Sequence, residues 1–181
     1  MTFERKLSKL YQMDDQAWAR HANPWSVWSR NTVLPLLIAA FWSREWLGYG
    51  AIVPVVLAIA WAIVNPHIFS RPASIDNWAS KCVYGERVWL NRDRVPVPAA
   101  HRLAPNILSG VAAVGSLLVI AGVVLLDPWM TALGAAFVYG GKLWFLDRMV
   151  WLYEDMKDHP AYRALGTTTP SSRPADGGER A

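Results

Sequence analysis

Four long apolar stretches, set in two pairs and separated by charged segments, constrain the fold of this chain more than any other feature. Each is close to the roughly 20 residues that a membrane-spanning helix requires. Charged residues make up 18% of the chain, whereas soluble domains average about 25%. We therefore predict an all-α integral membrane bundle of four transmembrane helices, two antiparallel hairpins in a single domain of residues 1–165. The predicted spans are residues 24–43, 46–64, 107–126 and 128–147.

The first predicted span has the weakest apolar pattern, because Ser26, Arg30 and Thr32 interrupt its first half. Asn23 is placed to cap this helix, and Pro24 fits its first position. Arg30 would reach the inner membrane interface by extending its long side chain. The alternative is a hydrophobic segment that dips into the bilayer without crossing it.

The 18 Lys and Arg residues predict the orientation. Apart from Arg44 in the first turn and Lys142 in the last span, they lie in the N-terminal segment, the central loop and the C-terminal segment. Positive residues favour the cytoplasmic side, so we expect a multi-pass protein of the inner (plasma) membrane with both termini in the cytoplasm. A basic face beside anionic lipid explains the net charge of +4, and no nucleic-acid partner is expected.

The segments outside the spans predict amphipathic cytoplasmic helices. In the loop 65–106, apolar residues recur with helical period over residues 75–90, where Ser74 is placed as the N-cap. Residues 3–21 carry a second amphipathic pattern, which fits a helix in the membrane interface or one packed on the bundle. The tail 166–181, rich in Thr, Ser, Pro and Gly, is predicted to be disordered.

Prolines and small residues predict further details of the helices. Pro54 predicts a kink near the middle of the second span, and Asn65-Pro66 predicts its end. Asp127 is placed to cap the fourth helix, which Pro128 starts. With no breaker before Pro160, this helix is expected to continue past the bilayer to about Asp158. Small residues along the third and fourth spans predict that these two helices pack closely. The small residues that share a face are Ser109, Ala112, Ala113 and Ser116 in the third span and Ala132, Ala136 and Gly140 in the fourth.

All four histidines and most carboxylates fall on the predicted inner side, so a polar site is expected there. The candidate catalytic residues are Glu86, His21, His101 and Asp147, and the candidate binding residues are Asn23, Arg30, Arg87, Arg102 and Arg148. Glu86 lies near the centre of an apolar helix face, where a carboxylate must pair, stay protonated or face a polar cavity. It fits a general base, a ligand-contacting acid or an ion pair. The expected ion-pair partners are Arg30, Arg102 and Arg148.

No metal or cofactor is predicted, because the chain lacks clustered Cys and His residues and a His pair at helical spacing. His21 and His101 with Glu86 or Asp147 would suffice to ligate a metal if they met, but such histidines more often cap helices. Lys142 is expected to extend toward the inner interface, the alternative being a charge that lines a polar cavity.

Three short stretches stand out at the predicted inner ends of the helices. They are His21-Ala22-Asn23-Pro24 followed by Trp28-Ser29-Arg30, residues 85–90 (GERVWL) and residues 147–151 (DRMVW). Over residues 15–160 the chain resembles a family of small bacterial and archaeal polytopic membrane proteins, a domain of unknown function. This resemblance implies a polytopic membrane protein and supplies no activity.

Three functions stay open. The favoured one is a structural, regulatory or accessory membrane protein rather than an enzyme, since no catalytic motif is present; its partners would be the lipid bilayer and a second copy or another protein. The second is a lipid- or amphiphile-binding protein or enzyme with a polar site at the cytoplasmic face. The third is a small transporter that acts as a dimer, favoured by helix breaks at Pro35 and Pro54.

Overall fold

The computed structural model describes residues 15–163, and every regular element in that range is a helix. The helices are α1 (Asp15–His21), α2 (Pro24–Arg30), α3 (Val33–Trp42), α4 (Arg44–Leu47), α5 (Ile52–Ile68), α6 (Trp78–Leu90), α7 (Leu103–Leu125) and α8 (Pro128–Met156). The all-α prediction is thus confirmed for the described residues. Most of the helix predicted over residues 3–21, and the tail 166–181, lie outside them.

Two helical stretches are long and apolar enough to cross a membrane, judged by length and composition. They are the 45 residues Pro24–Ile68 and the 27 residues Ala99–Leu125. The first stretch folds back on itself, because α3 and α5 pack side by side. Gly48 allows this reversal, since it ends α4 at a φ of 51° that residues with a side chain rarely adopt.

The first predicted span, residues 24–43, is divided into α2 and α3 at Asn31 and Thr32 instead of forming one helix. Pro35 explains the break: it has no N–H, so the Asn31 carbonyl four residues earlier loses its helical partner. The hydroxyl of Tyr139 in α8 donates to that carbonyl. The indole N–H of Trp61 in α5 donates to the Thr32 hydroxyl at 3.1 Å. Two other helices therefore stabilise the break.

The second predicted span, residues 46–64, differs from the prediction at Pro54 and at Asn65-Pro66. Pro54 lies in the first turn of α5, where its missing N–H has no intrahelical partner to lose, so the predicted kink is wrong. The helix continues through Asn65 and Pro66, so the predicted stop is also wrong. Asn65 is fully buried; it accepts from the Ser26 hydroxyl at 3.3 Å and donates to the Ser29 hydroxyl at 2.7 Å. These bonds hold the end of α5 against α2.

Helices α7 and α8 pack antiparallel along a seam of glycines. A Cβ on Gly115 would lie 2.8 Å from the carbonyl oxygen of Gly134. A Cβ on Gly141 would lie 2.8 Å from the backbone nitrogen of Ala112. The two backbones approach this closely because no side chain stands between them.

The predicted tight pair of helices is confirmed, but the predicted contact face is mostly wrong. Of the small residues expected in the contact, Ala112 lies at the seam. The exposed ones are Ser109, Ala113, Ser116, Ala132, Ala136 and Gly140. Each helix carries more than one row of small residues, and the row that contains the seam glycines allows the shortest backbone distance.

Arg44 joins the turns of the two hairpins at one end of the bundle. Its Nη2 donates to the carbonyls of Val123 and Val124, at 2.7 and 2.9 Å. These carbonyls lie in the last turn of α7, where helical N–H donors run out and where the helix dipole favours a cation. Asp127 then caps α8 by accepting from its first N–H groups at 2.9 Å, which confirms the predicted cap.

The buried apolar core lies at the other end, where α6 packs against the C-terminal half of α8. Helix α8 has 29 residues, or about 43 Å at 1.5 Å per residue, and confirms the prediction that this helix continues almost to Asp158. Gly85 permits the contact, since a Cβ there would lie 2.5 Å from the carbonyl carbon of Met149. The helix predicted over residues 75–90 thus exists, over Trp78–Leu90, and contributes to the buried core.

The start of α6 corrects the predicted N-cap. The helix begins at Trp78, and the side chain of Asn77 caps it by accepting from the Ser80 N–H at 2.8 Å. Ser74 instead accepts from the N–H of Asp76 in the preceding turn, at 3.1 Å. Asn77 therefore determines where α6 begins.

Candidate functional site

Five titratable side chains come together where α1, α2, α6 and α8 meet. We call them the inner polar cluster: His21, Arg30, Cys82, Glu86 and Lys142. Arg30 contacts His21, and Lys142 contacts Glu86. The charges of Arg30, Glu86 and Lys142 all act on the Cys82 thiol, which lies one turn before Glu86 on α6. Three of the predicted site residues, His21, Arg30 and Glu86, are therefore neighbours.

His21 is an uncharged member of the cluster. The Arg30 guanidinium contacts its imidazole ring, and Arg30 Nε donates to the Ser26 carbonyl at 3.2 Å. Burial, followed by the positive charges of Arg30 and Lys142, holds the pKa of His21 well below its usual range. The neutral ring can therefore accept a hydrogen bond from Arg30.

Glu86 forms an ion pair, but with a different residue from those predicted. Lys142 Nζ donates to Glu86 Oε1 at 2.8 Å; the Glu86 side chain is 15% exposed and the Lys142 side chain 49%. The partner is a lysine in α8, so the expected pairing with an arginine is wrong. The close contact of Gly85 with Met149 holds α6 against α8. Lys142 lies two turns before Met149 in α8, within reach of Glu86.

Cys82 is fully buried within α6 and unreactive at neutral pH. Burial raises the pKa of its thiol to about 12, so the nucleophilic thiolate is scarcely populated. The thiol donates to the Ala79 carbonyl at 3.0 Å. Its role in the cluster is therefore packing.

The predicted binding residue Asn23 positions the cluster. Its side chain caps α2, as predicted, by accepting from the Trp25 N–H at 2.9 Å. The same side chain donates to the Ser70 carbonyl at 2.9 Å. From α6, the hydroxyl of Ser80 donates to the Ala22 carbonyl at 2.7 Å. These bonds tie the α1–α2 junction to the central loop and to α6.

Asp147 and Arg148 pair with each other on α8. Arg148 Nη2 lies 2.9 Å from Asp147 Oδ2, and the indole N–H of Trp78 donates to Asp147 at 3.4 Å. The Arg148 guanidinium also lies over the Trp151 ring, 5.2 Å from its centroid. The carboxylate of Asp147 thus binds the side chains of Arg148 and Trp78.

The other predicted residues lie apart from these contacts. His101 pairs with Asp155 at 2.6 Å, and Arg102 donates to the Val97 carbonyl at 3.0 and 3.1 Å. Arg87 is half-buried on α6, next to Glu86 in sequence. Within residues 15–163, no group of three or more His, Cys, Asp or Glu side chains could hold a metal ion.

The sequence contains a signal for the Glu86–Lys142 pair that residue-by-residue reasoning missed. Lys142 is the one basic residue within the last apolar stretch, and Glu86 is a carboxylate on an otherwise apolar helix face. Isolated charges of opposite sign in apolar surroundings are costly unless they pair. Taken together, these two isolated charges would have predicted Lys142, rather than an arginine, as the partner of Glu86.

Comparison with known proteins identifies a family without an assigned activity. No curated protein and no solved structure matches the chain. A family model described as "Family of unknown function (DUF6653)" matches residues 2–171. This range includes all of residues 15–160, so the resemblance to an uncharacterised family is confirmed. The chain belongs to DUF6653, a family of unknown function.

Proposed function

We propose that the protein is a four-span membrane protein with a structural, regulatory or accessory role rather than an enzymatic one. One observation carries this role: each candidate acid or base contacts another side chain of the protein. The pairs are Glu86 with Lys142, His21 with Arg30, His101 with Asp155 and Asp147 with Arg148. The first three pairs join different segments of the chain, which favours a structural use of these charges.

The surface of the helices supports placement in a membrane. Large apolar side chains point outward along α3, α5, α7 and α8. They include Leu36, Val56, Leu57, Ile63, Val114, Leu117, Ile120, Leu133 and Phe137. Soluble monomers rarely expose so continuous an apolar surface, whereas lipid tails solvate it without cost.

Exposed aromatic residues border this apolar surface at both ends. At the hairpin turns they are Trp46, Tyr49 and Trp129, and at the opposite end Trp25, Trp144 and Trp151. Such aromatic belts are typical of the two membrane–water interfaces. They support spans at about 24–43, 46–64, 107–126 and 128–147.

The contacts at the two ends support the proposed orientation. The bond from Arg44 to the end of α7 places both hairpin turns at one end. The contacts of Asn23 with the central loop and of Glu86 with α8 place α1, the loop and the end of α8 at the other. Because most Lys and Arg residues between positions 15 and 163 lie at this second end, we propose that it faces the cytoplasm.

Reporter fusions test this orientation. A reporter that is active only outside the cytoplasm should be inactive when fused after Leu90 and active when fused after Leu126. A cytoplasmic reporter at the same two positions should give the opposite pattern. Strong external activity after Leu90 would overturn the orientation, and inactivity after Leu126 would overturn the four-span proposal.

The Glu86–Lys142 pair tests the structural role of the cluster. We expect Glu86→Gln to lower the stability of the protein in detergent, because it leaves the Lys142 ammonium unpaired beside apolar surroundings. The expected loss is about 1–3 kcal/mol, between the values for exposed and buried ion pairs. Thermal unfolding followed by circular dichroism measures it.

Two further variants serve as controls for this measurement. The double variant Glu86→Gln/Lys142→Gln should recover part of the lost stability, because it removes both charges together. Glu45→Gln should change little, since that exposed carboxylate lies 3.9 Å from Arg44. A melting temperature unchanged by Glu86→Gln would contradict the structural role and favour an acid held ready for a ligand.

Two other functions have unequal support. A site for lipid or amphiphile at the inner leaflet is favoured by the surplus of positive charge in the inner polar cluster. A dimeric transporter would be favoured by helix breaks at Pro35 and Pro54. The break near Pro35 exists, but Pro54 lies in the first turn of the regular helix α5, so one of the two expected breaks supports a transporter.

A further inference from the structure

The inner polar cluster contains more positive than negative charge. Arg30 and Lys142 each carry one positive charge, and Glu86 carries the one negative charge. His21 is neutral because it is buried beside these cations, and the thiol of Cys82 stays protonated. An uncompensated positive charge at the edge of a membrane's apolar core is costly, and it is usually paired.

Arg30 keeps hydrogen-bond donors that the described residues do not use. Its guanidinium has five N–H groups; Nε donates to the Ser26 carbonyl and Nη1 contacts His21. Nη2 has no acceptor and no carboxylate lies within ion-pair distance of Arg30 among residues 15–163. Nη2 of this guanidinium therefore keeps hydrogen-bonding capacity for an anion.

Lys142 offers a second cation beside Arg30. One of its three N–H groups donates to Glu86, and about half of its side chain is exposed. Tyr139, one turn before Lys142 on α8, donates to the carbonyl of Asn31, the residue that follows Arg30, so the two cations lie on segments in direct contact. Trp144, two residues further along α8, is exposed and marks the depth of the membrane interface.

We propose that Arg30 and Lys142 bind one phosphate group at the inner face of the membrane, between α2 and α8. Arg supplies a planar pair of donors that matches phosphate oxygens, and Lys supplies a compact positive charge. A phosphodiester carries one negative charge, which balances the surplus of the cluster. Glu86 beside Lys142 disfavours a second anion. The proposal deepens the lipid-binding function and depends on the proposed membrane placement.

Two sources could supply this phosphate: an anionic phospholipid headgroup and free phosphate. The test uses the full-length protein in neutral detergent, with three probes: short-chain phosphatidylglycerol, phosphatidylcholine of equal chain length and inorganic phosphate. Native mass spectrometry counts bound molecules, and the thermal shift against probe concentration gives the affinity. We expect one phosphatidylglycerol per chain and weaker binding of phosphatidylcholine, whose choline cation meets the surplus positive charge.

Three variants locate the site. Arg30→Gln should weaken phosphatidylglycerol binding about tenfold or more, the effect of losing a charge-assisted contact. Glu86→Gln should strengthen it several-fold, because it removes a neighbouring negative charge. Arg71→Gln is the matched control: it removes one charge from the exposed central loop and should leave binding within about twofold.

The outcomes separate the site from its alternatives. An equal loss in Arg30→Gln and Arg71→Gln would indicate diffuse attraction and overturn the site, as would equal binding of phosphatidylcholine. If Arg30→Gln does not fold, the Glu86→Gln result decides, and absence of stronger binding overturns the proposal. Binding of inorganic phosphate with the same variant pattern supports the site with free phosphate as its source. The reporter fusions test the membrane orientation without the phosphate probes. A failure of the orientation and a failure of the phosphate site can therefore be distinguished.

Discussion

Replacing Gly85 with alanine is expected to disrupt the packing of α6 on α8 and to destabilise the protein by about 3 kcal/mol or more. The added methyl group would overlap the carbonyl oxygen of Met149 and lie 2.5 Å from its carbonyl carbon. These atoms belong to the backbone of a long helix, so they cannot move aside as the end of a flexible side chain does. Helix propensity alone predicts the opposite sign, a gain of about 1 kcal/mol.

Gly110→Ala is the matched control for this substitution. Gly110 lies within helix α7, and a Cβ there would meet nothing within 4 Å. Thermal unfolding of the two variants should therefore give shifts of opposite sign. Trypsin should also cleave Gly85→Ala faster after the exposed Arg94, since α6 no longer holds the loop. Equal stability of the two variants would mean that α6 does not pack on α8 as described.

Replacing Gly134 with alanine is expected to separate α7 from α8, with a loss of about 2–3 kcal/mol. A Cβ at this position would lie 2.6 Å from the backbone nitrogen of Val119 and 2.8 Å from the carbonyl oxygen of Gly115. Both obstacles are backbone atoms of the facing helix, so the helices must move apart. Separation also weakens the dispersion contacts on which membrane helix packing depends.

Gly140→Ala provides the comparison within the same helix. A Cβ there would meet nothing within 4 Å, so we expect unchanged stability or a gain of up to about 1 kcal/mol. Unfolding by increasing sodium dodecyl sulfate in mixed micelles, followed by tryptophan fluorescence, measures both variants. A loss in Gly140→Ala as large as in Gly134→Ala would contradict the seam and move the contact to the row of small residues predicted from the sequence.

Local signals in the sequence predicted the parts of the fold that depend on one helix at a time. Asn23 and Asp127 were identified as caps because a side-chain acceptor before a proline satisfies free N–H groups locally. The length of α8 followed from the absence of a breaker before Pro160. The position of Pro54 was misjudged because the start of α5 depends on the turn at Gly48, which the apolar pattern does not mark.

Three of the five residues in the inner polar cluster were predicted as site residues, whereas the partner of Glu86 was not. His21, Arg30 and Glu86 were expected near the inner ends of the helices, and they are neighbours. The partner of Glu86 depends on the contact of Gly85 with Met149, which is a distance between helices that no local pattern encodes. His101 was expected to be able to join His21, but Asp155 holds it on the far part of α8.

In the proposed four-span arrangement, the bond between Arg44 and the end of α7 has a consequence for membrane insertion. Its acceptors, Val123 and Val124, are synthesised about eighty residues later, as their separation in sequence shows. Before the third helix inserts, Arg44 lacks these acceptors, and the Glu45 carboxylate lies 3.9 Å from its guanidinium. A ribosome-bound chain that ends at the central loop therefore lacks the contact that fastens its first hairpin. Insertion of the second hairpin completes the assembly of the first.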